Sequence, residues 1–140
     1  MTKEEIVLVQ QSWRTLRDIN PQIIGDVFYA KLFFDAPGLK ELFHTPVPSQ
    51  SEKLVGMLNM IVARLDHMNS LKKDVQALAL RHKAYGVKPA HYDLVGNALL
   101  WTIEKAFGPQ WNEQLAKAWL KCYTSLATIM LISSEEVAVF

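Results

Sequence analysis

Residues 72–96 read KKDVQALALRHKAYGVKPAHYDLVG, and this stretch decides the class of fold. Val75, Leu78, Ala79 and His82 recur at spacings of three and four, the period of one face of an α-helix. The pattern predicts a helix over roughly Lys72 to Tyr85. Gly86 and Pro89 end it, because glycine supplies a left-handed C-terminal cap and proline is common just beyond one. A longer helix is predicted from about Ala90 to Phe107. The pair of helices is thus joined by a short Gly/Pro turn, with a histidine on the apolar face of the first.

Reading outward toward the N-terminus, Asn69-Ser70 is expected to break the chain. The helix before it carries Leu54, Leu58, Ile61, Leu65 and Met68, and Ser49 with Glu52 has the spacing of a capping box at its start. The stretch His44 to Pro48 holds two prolines and is expected to be a tight corner, with little or no helix between residues 44 and 48. Pro37 begins a short helical turn ending near Phe43. Asn20-Pro21 opens a helix to about Phe34 with Ile24, Phe28 and Leu32 on one face. Thr2 with Glu5 caps a first helix striped by Ile6, Val9, Trp13 and Leu16. Toward the C-terminus, Gly108-Pro109 is expected to start a last helix bearing Leu115, Trp119, Cys122, Leu126 and Ile129. Glycines and prolines are expected between the periodic segments. No window alternates as a strand does. The class is therefore all-α, with six or seven helices of unequal length in one domain over residues 1–140. Unequal helices argue for irregular packing around something rather than a symmetric bundle.

Composition narrows the function classes. Half of the 140 residues are hydrophobic and the net charge is +1. Lys and Arg nowhere cluster as a nucleic-acid groove requires. No run of about 20 uninterrupted apolar residues predicts a membrane span. The N-terminus lacks a basic flank followed by an apolar run, so a cytoplasmic setting is expected. Cys122, the single cysteine, reads as a small buried hydrophobe. His44, His67 and His91 fall in or near breaks and are expected at the surface. There is no Cys-x-x-Cys, no His-Glu-x-x-His and no Gly-rich phosphate loop.

Three polar side chains sit on otherwise apolar faces: His82, Gln50 at i−4 from Leu54, and Tyr29 beside Phe28. Buried polar atoms need partners, and a ligand with a polar centre would supply one. By spacing alone each has a plainer reading. A histidine on an apolar face is more often a satisfied core residue than a ligand. A glutamine near a helix start is ordinarily solvated, and a tyrosine is ordinarily a core aromatic with its hydroxyl at the rim.

Taken together the residues resemble a family. Phe28-Tyr29-Ala30-Lys31-Leu32-Phe33, then Pro37, then Leu42-Phe43, is similar to the second helix and following corner of bacterial single-domain haemoglobins and flavohaemoglobins. Arg81-His82-Lys83-Ala84-Tyr85-Gly86-Val87 followed by His91-Tyr92-Asp93-Leu94-Val95-Gly96 resembles their proximal region, and Ala118-Trp119 with Lys121 and Tyr123 their last helix. The resemblance implies a globin fold around a haem pocket, with haem b as cofactor and His82 as the proximal iron ligand. It implies Tyr29, Gln50 and Leu54 on the distal side. Phe43, Lys53, Leu54, Leu78, Arg81, His82, Val87 and Tyr92 would contact the cofactor, Lys53 and Arg81 at its propionates. Oxygen, carbon monoxide and nitric oxide are the implied ligands.

Two departures from the family pattern matter. The corner between Phe43 and Gln50 is shorter than in flavohaemoglobins, which leaves Gln50 in the first turn of its helix, where it is expected to swing in and out of the pocket. Flavohaemoglobins also tie the proximal His to a Tyr and a Glu. Tyr92 matches the Tyr, but Ser134 stands at the register of the Glu and Glu135 one residue later, about 100° around a helix. The implied function is reversible, high-affinity oxygen binding for carriage or storage. The alternatives are a nitric oxide dioxygenase working with a separate reductase, and a ligand-sensing globin.

Overall fold

The computed structural model describes residues 1–139, with side chains through Ser133. Six α-helices carry the fold: α1 Lys3–Leu16, α2 Pro21–Asp35, α3 Val47–Ala63, α4 Met68–Ala84, α5 Pro89–Phe107 and α6 Glu113–Val139. Three 3-10 turns, Pro37–Leu42, Leu65–His67 and Gly108–Gln110, join them, and no strand occurs among the described residues. The all-α class is as the periodicity predicts.

Local chemistry explains most of the ends. The Thr2 hydroxyl accepts the Glu5 amide at 3.1 Å while the Glu5 carboxylate accepts the Thr2 amide at 2.8 Å, a complete capping box. Asn20 caps α2 ahead of Pro21 by accepting the Gln22 amide at 2.9 Å. The end of α4 is a Schellman motif: Val87 N–H donates to the His82 carbonyl and Gly86 N–H to that of Lys83, both at 3.0 Å, with Gly86 at φ +91°.

Four sequence expectations are corrected. Helix α3 begins at Val47 rather than after Ser49, with Pro46 as its cap residue. A proline in the first helical turn sacrifices no bond, because that N–H has no helical partner anyway, so Pro48 is admitted and only Phe43–Pro46 is free of helix. The break after α3 falls at Arg64–His67, not at Asn69-Ser70. The Arg64 guanidinium reaches forward to the Ser70 carbonyl at 2.7 Å and to the Asp74 carboxylate, which places Asn69 and Ser70 inside α4. Helix α6 begins at Glu113, where the Asn112 carboxamide oxygen accepts the Leu115 amide at 2.9 Å, and not at Gly108-Pro109. Lastly, Gly25, Gly56 and Gly96 lie within helices.

Two of those glycines set helix crossings. A Cβ on Gly25 would stand 1.8 Å from Ser51 Oγ, so α2 and α3 touch almost backbone to backbone. A Cβ on Gly96 would stand 2.5 Å from the Tyr123 ring, which fixes α5 against α6. Buried Trp13 and Trp119 meet edge to face at 6.1 Å and bind α1 to α6. Their indole N–H groups donate to Asn59 at 2.7 Å and Ser12 at 2.9 Å, so burial leaves neither donor unmet. Residues 113–133 of α6 are long and apolar enough to cross a membrane by composition. Their buried members Leu115, Ala118, Trp119, Cys122 and Met130 belong to a helix packed on α1, α4 and α5.

The packing is uneven in one place. Helix α2 lies on both α3 and α5, whereas α4 lies along α6 and makes at most a marginal contact with α2 or α3. Consecutive helices α3 and α4 therefore diverge, and the candidate residues are divided between their two sides.

Candidate functional site

On one side stands His82, in the last turn of α4. Its Nδ1 lies 2.8 Å from the Leu78 carbonyl oxygen. A carbonyl oxygen only accepts, so Nδ1 carries the hydrogen and Nε2 keeps the lone pair. Burial holds the imidazole pKa below its ordinary value and the Arg81 charge adds to this, against an upward pull from the Leu78 bond. The ring is thus neutral at neutral pH, the form that ligates a metal. The same residue anchors the following turn, since its own carbonyl accepts from Tyr85 at 3.1 Å and Val87 at 3.0 Å.

On the other side, α2 and α3 bring Tyr29, Phe43 and Gln50 together. The Tyr29 hydroxyl donates to the Gln50 main-chain carbonyl at 3.4 Å. Its ring meets Phe28 at 4.9 Å, Phe43 at 5.4 Å and Phe33 at 5.8 Å, and Phe33 meets Phe43 at 5.4 Å. Burial pushes the Tyr29 phenol up to about 12, so it remains a donor throughout the physiological range. Gln50 N–H bonds the Pro46 carbonyl at 3.1 Å, the first bond of α3, and Gln22 Nε2 holds the Pro48 carbonyl at 2.9 Å. The first turn of α3 is therefore tied by its neighbours although it has no side-chain cap.

The remaining predicted residues fall as follows. Leu78 and Tyr92 are buried, and Leu54 and Val87 half-buried against the core. Lys53 and Arg81 are exposed. The Tyr92 carbonyl accepts the Tyr123 hydroxyl at 2.5 Å, which secures the first turn of α5. The two sides approach at the corner, where a Cβ on Gly86 would lie 3.5 Å from Leu42 Cδ2. Ser134 and Glu135 lie outside the residues whose side chains are described. Cys122 is buried, with its thiol pushed up to about 12, consistent with a packing role. His44 and His67 are exposed; His91 is half-buried and its Nδ1 accepts the Lys88 amide at 3.0 Å, capping α5.

Ser51 and Gln22 do not figure in the sequence reading, and Leu42 and Phe33 enter it only through the resemblance, not as site residues. Ser51 is fully buried, its hydroxyl turned back to the Val47 carbonyl at 2.9 Å, and it is the residue against which Gly25 packs. A glycine inside a helical pattern was the available signal.

The donor set discriminates among metals. No group of three His, Cys, Asp or Glu gathers among the described residues. Among the described residues His82 has no partners with which to enclose a bare ion, so it suits a metal whose other ligands arrive with it. A neutral, half-buried imidazole with one nitrogen anchored fits the axial position of a metal macrocycle.

Comparison with known proteins identifies the family. Residues 26–130 match the globin family model. A flavohaemoprotein of Vibrio cholerae is 25% identical over 134 residues; the match covers 94% of this chain, which spans about a third of that relative's length, 34%. Among solved structures, a bacterial globin from Campylobacter jejuni superposes with a TM-score of 0.86 at 25% identity, covering 99% of this chain and all of that one (100%). A Rhodothermus marinus protein provisionally assigned as a nitric oxide dioxygenase, engineered into a carbene transferase, superposes at 0.88 with 25% identity, covering 99% and 96%. A hexacoordinated haem protein from a tardigrade shares the fold at 15% identity and a TM-score of 0.85, covering 96% of each chain.

Proposed function

Because the chain belongs to the globin family, we propose that it holds haem b with His82 as the iron ligand and binds oxygen reversibly and tightly, for carriage or storage in the cytoplasm. Carbon monoxide and nitric oxide would use the same site. Haem would supply the iron that binds a diatomic gas and the further metal ligands that the described residues do not provide. The observation that carries the reading is the Nδ1 contact of His82 with the Leu78 carbonyl at 2.8 Å, which leaves Nε2 as the only nitrogen able to ligate. A carbonyl that accepts from the other ring nitrogen in this way fixes ring orientation and raises ligand basicity.

Tyr29 and Gln50 would face the gas from α2 and α3. Tyr29 has one hydrogen, and its bond to the Gln50 carbonyl is long at 3.4 Å, so turning the hydroxyl to another acceptor forfeits little. The Gln50 carboxamide adds a second donor if it turns inward. Each donor to a partly charged acceptor in a water-poor site contributes about 1.5–3 kcal/mol. Every ~1.4 kcal/mol is tenfold in affinity. Phe43, Leu54, Leu78 and Val87 would exclude water, with Tyr92 on the His82 side, while exposed Lys53 and Arg81 would reach the propionates.

Spectra of the reduced protein with and without carbon monoxide test the reading. A Soret band that shifts on carbon monoxide addition supports it, and its absence after haem addition overturns it.

The likeness to a flavohaemoprotein and to the Rhodothermus marinus protein favours a second reading. The chain would oxidise nitric oxide to nitrate with oxygen, drawing electrons from a separate reductase. Nitrate formed over many turnovers with a supplied reductant would select this reading. Stoichiometric oxygen binding without turnover would select the first.

A further inference from the structure

Helix α2 has a second face, turned away from Tyr29. Ile23, Val27, Ala30 and Phe34 recur along it at spacings of four, three and four. Ile23 is 57% exposed and Phe34 83%, the most exposed large hydrophobic side chain among the described residues, while Val27 is half-buried and Ala30 exposed. Val7, Leu80 and Leu120 are also exposed, at 45%, 44% and 52%. Spacings of four, three and four are those of a coiled-coil seam, with Ile23 and Ala30 at d and Val27 and Phe34 at a. In that register Asp26 is a g position and Lys31 the following e position. Between parallel helices, g of one chain faces the next e of its partner.

We propose that α2 is the contact surface of a homodimer in which two copies pair their α2 helices in parallel. The charges pick the occupant: a second copy brings Lys31 to Asp26 twice, once on each side of the seam. Asp26 is exposed. Lys31 already stands at the rim, 3.2 Å from Asp35 and 5.5 Å from the Trp101 ring centre, and Trp101 is itself 37% exposed. An antiparallel pairing would instead set each flank against its own kind and leave Asp26 without Lys31. The seam is short, about 17 Å at 1.5 Å per residue. Two helices meeting over about three turns bury less than the roughly 1,200 Å² of a stable standard interface, so the dimer exchanges with monomer.

Sedimentation velocity of the haem-loaded chain, from micromolar to near-millimolar concentration, tests this. The mass is expected to rise from one chain toward two. Phe34→Lys is expected to raise the dissociation constant about tenfold or more. Asp26→Lys and Lys31→Glu should each self-associate less than the parent, because each sets like charges face to face. An equimolar mixture of the two should recover the dimer as a heterodimer, since each chain then supplies the sign that the other lacks. A monomeric parent at every concentration, an unaffected Phe34→Lys dimer, or a mixture no tighter than its components overturns the proposal. Far-ultraviolet circular dichroism confirms that each variant remains helical, so that loss of association is not loss of fold.

Discussion

The two sides of the site are built by different means. The His82 side is local: the ring is held by the carbonyl four residues earlier, and the turn after it by bonds spanning three to five residues, closed by Gly86. The Tyr29 side is assembled from a distance. Tyr29 and Gln50 are 21 residues apart in sequence, Phe43 arrives from the corner between them, and the crossing rests on Gly25 against Ser51. A local device survives changes elsewhere in the fold. An assembled one fails when any crossing opens, and it also offers more ways to adjust a ligand's surroundings.

The largest effect that sharpens this contrast should come from His82→Ala. It removes the nitrogen proposed to hold the haem, so haem retention through gel filtration should be lost while helical circular dichroism persists. Retention at the parental level would transfer the ligand role elsewhere. Next, Tyr29→Phe should raise the oxygen dissociation rate by about 10- to 100-fold, the effect of losing one donor to a partly charged acceptor. An unchanged rate in stopped-flow would make Tyr29 a packing residue.

Two glycine substitutions compare the regions directly. Gly25→Ala drives a Cβ into Ser51, and the helices must part; unfolding free energy should fall by about 1–3 kcal/mol, and oxygen release should change with it. Gly86→Ala meets no close atom but must hold φ +91°, at about 1–2 kcal/mol. The two costs overlap, so the discriminating readout is ligand kinetics, altered by the first substitution and little by the second. Equal kinetic effects would erase the distinction between a local and an assembled side.

The smallest effect is a pH dependence of the haem-free chain. In the unfolded chain His82 binds a proton near its ordinary 6.5, and in the folded chain only below that. The unfolded state therefore holds more protons just below 6.5. Stability falls as pH drops through this window and levels off beneath the lowered folded value. His82→Gln should remove that part of the slope in urea titrations at successive pH values.

Legibility in sequence followed the range of the interaction. The Thr2–Glu5 box, the Asn20-Pro21 start and the Gly86 stop were readable because each is completed within a few residues. Ser49 with Glu52 looked equally good and failed. The start of α3 is fixed partly from α2, by Gln22 on the Pro48 carbonyl, and the prolines are absorbed where no amide is needed. The break at Arg64–His67 was misplaced for the same reason: Arg64 finds Asp74, ten residues on, only when the chain turns. Among the site residues, a polar group on an apolar face could be picked out at 29, 50 and 82, but a period cannot say what it faces.

By itself the sequence determined the helical class, the turn after His82 and the short list of polar residues worth testing, because periodicity and capping are properties of neighbouring residues. Tertiary structure alone decided that Tyr29 and Gln50 share a hydrogen bond, that Gly25 admits Ser51, and that α3 and α4 diverge rather than pack. Those facts depend on which helices lie against each other. That is settled by burying all the apolar faces at once, and no single stretch of chain contains the answer.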